Sequence, residues 1–288
     1  MPLANVKSLR SPILPGWGLL AIPGAIFLFV FFAWPVLSMI SRAFTEPTLG
    51  LQNFQDFLTS PIGPKSLTIT LQTALIVTLA TLFVGYPYAY VLVVAPQKVA
   101  AILLTLILAS LWLNIVARTF AWQVILRDTG VINKFLLGLG WIDNPVPLMY
   151  TQTAVTIGMT HILLPSMILP LYVVMLRIDK ELPRAAASLG AGPIRSFFTV
   201  FLPLSMPGVF AGALLVFVQG IGFYITPYLL GGGSFLMMSQ LIVNQTQHLQ
   251  WGVASAMALI LVIVVVAFLA LASRVVRLRD VFGASVEA

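Results

Sequence analysis

Six stretches of this 288-residue chain run about 20 residues or more with almost no charge, enough apolar length to cross a hydrocarbon layer about 30 Å thick. They cover Gly16–Ile40, Leu67–Val94, Val99–Val116, Thr153–Leu176, Leu204–Leu229 and Val253–Val276. In lipid every backbone N–H and C=O must find a partner inside the protein, so such long segments cross as helices. The reading is an all-α polytopic membrane protein of six transmembrane helices in a single domain, 1–288. No internal repeat or low-complexity segment interrupts it. Composition agrees: 60% of residues are apolar and 8% charged, about a third of the usual charged share.

Charge placement sets an orientation and excludes some partners. The formal net charge is +7. With both termini placed inside, Lys7, Arg10, Lys98, Arg177, Lys180, Arg184, Arg195, Arg274, Arg277 and Arg279 fall on the cytoplasmic side. Arg42, Lys65, Arg118, Arg127 and Lys134 fall outside, so the split is ten against five of the 15 basic residues. That bias is the topology signal of membrane proteins and not a nucleic-acid surface. Lys7 and Arg10 precede an apolar run too long for a cleavable signal, so the first span is read as an uncleaved helix. Cysteine is absent, which removes disulfides and thiolate metal sites.

The most charged piece is the inside loop 177–203. Asp179 and Pro183 are start signals for a short helix, and the alanines at 185–187 favour it. Gly190 suits a left-handed C-terminal cap, or a sharp turn that redirects the chain. Pro193 opens a second short run to Val200, with Ile194, Phe197 and Phe198 as its apolar stripe, and Pro203 and Pro207 mark the entry to the fifth span. The expected product is a helix–turn–helix lying across the cytoplasmic face, its small Ala185 and Ala186 able to enter a partner's groove. Elsewhere Gly208 and Gly212 form a small-xxx-small pair that permits close helix approach. Among the outer loops, Leu51, Phe54 and Leu58 have helical spacing, Thr119–Gln152 is turn-rich, and Phe235–Val243 is read as a short helix at the interface or in an outer vestibule.

The loop carries a family resemblance. Permease subunits of ATP-binding-cassette importers have Glu-Ala-Ala, three residues, Gly, nine residues, then Ile-x-Leu-Pro. Here Ala185-Ala186 is followed after three residues by Gly190, and after nine more by Val200-Phe201-Leu202-Pro203. Val stands for Ile, and Arg184 stands where the family has Glu, a reversal of charge. Further segments resemble the first permease of the spermidine/putrescine branch: Gly85-Tyr86-Pro87, Asn114 with Arg118, Gly130-Val131-Ile132-Asn133, Leu139-Gly140-Trp141-Ile142-Asp143, and Ile162–Pro165 continuing to Leu169–Tyr172.

The resemblance implies a type I importer transmembrane fold in the bacterial inner membrane and a set of partners. These are an ATPase dimer gripping the loop at Arg184, Ala185, Ala186, Gly190, Leu202 and Pro203, a second permease, a periplasmic binding protein and surrounding lipid. ATP and Mg would belong to the ATPase, since no GxxxxGK[ST] sequence is present here. No cofactor or metal is expected in this chain, and no enzymatic activity. Polyamines are the implied cargo; iron(III), an opine or an amino-acid derivative is the alternative within the family. A stand-alone channel, a secondary carrier and a membrane enzyme are the readings from other classes.

No acidic residue falls in the middle of an expected span, so cation recognition from this chain rests on other groups. Ring faces attract alkylammonium at about 0.5–2 kcal/mol each. The candidate path residues are Tyr88, Trp112, Asn114, His161, Gln219, Phe223 and Tyr224. For the aromatics the alternative is an interfacial belt or packing. For His161, Asn114 and Gln219 it is a hydrogen bond between helices.

Overall fold

The computed structural model describes residues 17–179, 181–233 and 235–275. Gly16, Val276, Lys7, Arg10, Lys180, Arg277 and Arg279 lie outside the described residues, as do the side chains of Arg184 and Arg274. Every regular element among the described residues is helical. In order they are α1 Trp17–Leu28, α2 Trp34–Thr45, α3 Gln52–Thr59, α4 Gly63–Val94, α5 Gln97–Trp112, α6 Ile115–Leu126, α7 Val131–Gly138, α8 Gln152–Leu176, α9 Glu181–Ser188, α10 Pro193–Ser196, α11 Leu202–Ile221, α12 Ile225–Gly231, α13 Met238–Gln247 and α14 Trp251–Val275. Two π turns, Phe29–Ala33 and Phe197–Phe201, join α1 to α2 and α10 to α11 without breaking the helix.

Both π turns end two residues before a proline, Pro35 and Pro203. A proline donates no N–H and its ring crowds the carbonyl four residues back. In each, the N–H of the residue just before the proline bonds five residues back, Trp34 to Phe29 and Leu202 to Phe197.

The centre of the fold is α4, α8 and α11, which pack on one another more extensively than any other elements. Their buried faces meet at Val77, Met159, Leu163, Met167, Leu171, Val209 and Val216. Close approach of α11 to α8 depends on two glycines. A methyl group at Gly212 would sit 2.8 Å from Met167 Sδ, and one at Gly208 would sit 3.1 Å from Leu171 Cα. Two threonines buried on α4 donate back to their own helix, Thr70 to the Ser66 carbonyl at 2.7 Å and Thr78 to that of Ala74 at 2.7 Å. A second apolar cluster, with Phe57, Ala74, Phe217, Met238 and Met257, joins α3, α4, α11, α13 and α14.

Five segments are long and apolar enough to cross a membrane singly: Ile22–Thr45, Gly63–Val94, Gln152–Leu176, Pro193–Ile221 and Trp251–Ser273. The third crossing differs from the expected Val99–Val116. Helix α5 ends at Trp112, and the pair Gln97–Trp112 and Ile115–Gly138 is bent by 102°. The cause is Asn114, whose Oδ1 accepts from the Val116 and Ala117 backbone N–H groups at 2.8 and 3.4 Å and starts a new helix. The region expected as an outer loop from Thr119 to Gln152 therefore holds most of α6 and all of α7.

The fifth crossing also departs from Leu204–Leu229. It begins earlier, at Pro193, and ends at Ile221, where Gly222 breaks the helix. The chain then turns into α12, which packs on α6 through Thr226 and Thr119, their hydroxyls 3.0 Å apart. As a result the second arm of the expected helix–turn–helix is the continuous start of the fifth span. The expected Phe235–Val243 helix is displaced to Met238–Gln247, because Gln240 Oε1 accepts from the Met237 N–H at 3.0 Å and sets its first turn there.

Candidate functional site

The charged loop leaves α8 and forms α9. Asp179 Oδ1 accepts from the Glu181 N–H at 2.9 Å, fixing the helix start. At the far end the Ala191 N–H bonds the Ala186 carbonyl and the Gly190 N–H bonds that of Ala187, both at 3.0 Å. With Gly190 at φ +85°, this is a Schellman cap, and the left-handed residue is one that favours glycine. Of the two alanines expected to be open to a partner, Ala185 faces outward and Ala186 is half-buried; Ala187 faces outward instead, as do Leu189, Ile194 and Phe198. The element thus presents a small-residue helix with exposed apolar groups beside it.

This handle is anchored by an aromatic cluster. The ring of Phe197 meets Tyr86 and Tyr90 edge-on at 6.1 and 5.6 Å, and Phe201 meets Tyr90 at 5.1 Å. Such edge-to-face pairs contribute about 0.5–1.5 kcal/mol each beyond area burial. Tyr86 Oη also lies 2.8 Å from Ser205 Oγ. A cavity of about 540 Å³ separates α9 from the bundle, lined by Tyr90, Met175, Ile178, Ala187 and Phe197 among others. Leu202 and Pro203 open α11 directly after the π turn, so α10 and the fifth span form one continuous helix. The part played by Tyr86 escaped the sequence reading, which held it only within Gly85-Tyr86-Pro87. An aromatic one turn before Tyr90, facing the Phe197 run, is the signal that was available.

The seven candidate path residues do not form one cluster. Tyr88 donates to the Leu103 carbonyl at 2.8 Å, tying α4 to α5. Asn114 is the helix cap already described. Trp112 ends α5 almost fully uncovered, at 91% exposure. His161 Nδ1 accepts from Trp122 Nε1 at 3.2 Å while the imidazole remains exposed. Gln219, also exposed, accepts from Ser166 Oγ at 3.3 Å across the α8–α11 contact. Phe223 is half-buried, and its carbonyl accepts from Ser239 Oγ at 2.6 Å. Tyr224 stacks on Tyr228 with centroids 5.5 Å apart. Of the seven, only Tyr224 lines the larger cavity, about 690 Å³, enclosed by α12, α13 and the start of α4. Arg118, in the first turn of α6, has Nε and Nη1 buried without a hydrogen-bond partner. Among the described residues no group of His, Asp or Glu has the arrangement of a metal site.

A membrane-spanning helical bundle with a projecting capped helix between its fourth and fifth crossings defines a transporter permease. Residues 82–280 match the family model "Binding-protein-dependent transport system inner membrane component", and the chain belongs to that family. It is a multi-pass inner-membrane permease subunit and not an enzyme. It is similar to the spermidine/putrescine transport system permease protein PotB of Escherichia coli (strain K12), 36% identical over 255 residues, which cover 85% of this chain and 92% of that one. PotB of Salmonella typhimurium (strain SL1344) is 35% identical over 271 residues, covering 91% and 93%. In three dimensions the chain is similar to a chain of a bacterial ABC transporter involved in import of the acidic polysaccharide alginate, with a TM-score of 0.71 at 18% identity over 90% of this chain and 95% of that one. At that identity the likeness concerns the fold.

Proposed function

We propose that this chain is one of two permeases in an ATP-driven importer of spermidine- and putrescine-like polyamines, with cargo brought by a periplasmic binding protein. The observation that carries the reading is the identity to PotB over nearly the whole of both chains. The termini lie in the cytoplasm, as the ten-to-five basic bias favours. That orientation puts α9 where an ATPase can grip it. The exposed Ala185 and Ala187 let a partner groove approach the backbone closely, and Gly190 redirects the chain into the fifth span. Closure of an ATPase dimer then moves α9 and α10 as a rigid handle. The π turn and aromatic cluster carry that movement to α4 and α11, switching the bundle between two arrangements.

In this reading the path residues are His161, Gln219 and Tyr224, whereas the hydrogen bonds of Tyr88 and Asn114 give those two structural roles. The five single-helix crossings contain no Asp or Glu, so this chain attracts a cation through ring faces and amide oxygens. Weak sites of this kind suit transit more than storage. The test is uptake of labelled spermidine and putrescine by cells with and without this chain, all other subunits present. Uptake that needs both the chain and ATP is the expected result. Uptake unchanged by its loss removes the polyamine assignment and leaves the permease family standing.

A further inference from the structure

Arg118 stands on the bent third crossing with no acid to answer it among the described residues, whose single ion pair joins Arg42 to Glu46. The next acid along the chain, Asp128, lies past the end of α6. Arg118 also sits in the first turn of α6, where the positive end of the helix offers a cation no relief. The residue is partly exposed, and its guanidinium nitrogens differ. Nε and Nη1 are enclosed without a hydrogen-bond partner, so Nη2 is the nitrogen left to reach the surface. One turn further on, Trp122 donates to His161 at 3.2 Å. His161 is exposed about 14 Å along α8 from its Gln152 end, and the charge of Arg118 reaches its imidazole. Two ionisable groups open at membrane depth are too costly against hydrocarbon, so this face is not a lipid face.

We propose that the face bearing Arg118, Trp122 and His161 seats the second permease, which brings an Asp or Glu from one of its own spans to Arg118 Nη2. The inference rests on the two-permease polyamine reading and adds the contact that joins the pair. Charge complementarity selects the occupant. A guanidinium with two nitrogens already stripped of water needs a carboxylate at the third, and this chain has none to give. Left uncompensated beside His161, it would also repel a polyamine on the route proposed for it, whereas a guanidinium–carboxylate pair carries no net charge. Such a pair further fixes the register of two apolar surfaces that could otherwise slide past one another.

Double-mutant cycles on the assembled importer test the pairing. Arg118→Gln is combined in turn with the amide form of every Asp and Glu in the second permease's spans. Loss of that permease from the immobilised, tagged chain is then timed in mild detergent. One acid is expected to couple. Its amide variant and Arg118→Gln should each speed dissociation about thirtyfold, and the double variant should stay within about threefold of either. Exchanging the charges, Arg118→Glu with that acid changed to Arg, should restore assembly and uptake, which a mere folding defect would not allow. Losses that multiply for every acid overturn the proposal. So does a loss from Arg118→Gln that follows the anionic-lipid content of nanodiscs, because it marks a headgroup contact. If no acid couples while the pair still assembles and imports polyamine, only this inference falls. If the unaltered chain retains no second permease, the two-permease reading falls with it.

Discussion

Tyr86 donates its hydroxyl proton to Ser205 Oγ across 2.8 Å, tying the middle of α4 to the first turn of α11. The direction follows from Ser205 itself, whose own proton goes to the Leu202 carbonyl at 2.8 Å. The bond lies beside the Phe197–Phe201 π turn, so it secures the junction between the projecting handle and the bundle.

Tyr86→Phe and Ser205→Ala should therefore each cost about 1 kcal/mol, and the double variant little more than either alone. Thermal unfolding of the purified permease pair provides the cycle. Strictly additive losses would mean that the two hydroxyls do not interact.

Gly190 separates conformation from space. A side-chain carbon there would meet nothing within 4 Å, yet φ is +85°. Gly190→Val should cost about 1–2 kcal/mol of backbone strain in the cap and reduce uptake below a tenth, at unchanged membrane levels. Gly190→Asn, which tolerates left-handed φ, should keep most of the uptake. Equal transport by the two variants would detach the cap from coupling.

The α8–α11 contact makes a contrasting prediction. Gly212→Ala places a methyl 2.8 Å from Met167 Sδ and 3.0 Å from the Met167 carbonyl, and only the first can yield. The expected loss is about 1–3 kcal/mol in thermal stability. Gly138→Ala, at a position with open space, serves as control and should change stability by no more than about 0.5 kcal/mol.

Asn114 is a cap, and caps can be exchanged. Asn114→Ala should lower stability by about 1 kcal/mol and loosen the start of α6, as read by protease cleavage near Leu113. Asn114→Ser should recover most of the loss. If Ser behaves like Ala, the side chain acts in transport and not in the turn.

The all-helical class was legible because an uncharged run of membrane length leaves the backbone no other solution. The Gly190 cap was legible too, since a glycine closing an alanine-rich helix has one common use. Directions inside the membrane were not. Leu113–Val116 is as apolar as the helix before it, and hydropathy records depth without recording a 102° bend. An asparagine ahead of an apolar run is a capping signal, but inside an uncharged run the same residue equally suits a path or an interhelical hydrogen bond. Gly222 marked the end of the fifth span in the same way, hidden by the apolar residues after it. The seating of α13 depends on the Met238 N–H donating to Thr70 Oγ1 at 2.8 Å, a pairing across 168 residues that no local pattern encodes. His161 showed its importance as a polar group at depth, while its partner Trp122 emerged only from the fold.

The contact between α2 and α14 sets a condition on biosynthesis. These helices pack together, yet about 200 residues of chain must be made between them, which at roughly 5–20 residues per second takes on the order of 10–40 s. Throughout that interval the first crossing has to persist beside the insertion machinery with its main intrachain partner not yet translated. Its Ile22–Thr45 segment, apolar and almost wholly uncovered even in the finished fold, suits a helix that stands alone in lipid first and acquires its neighbour last.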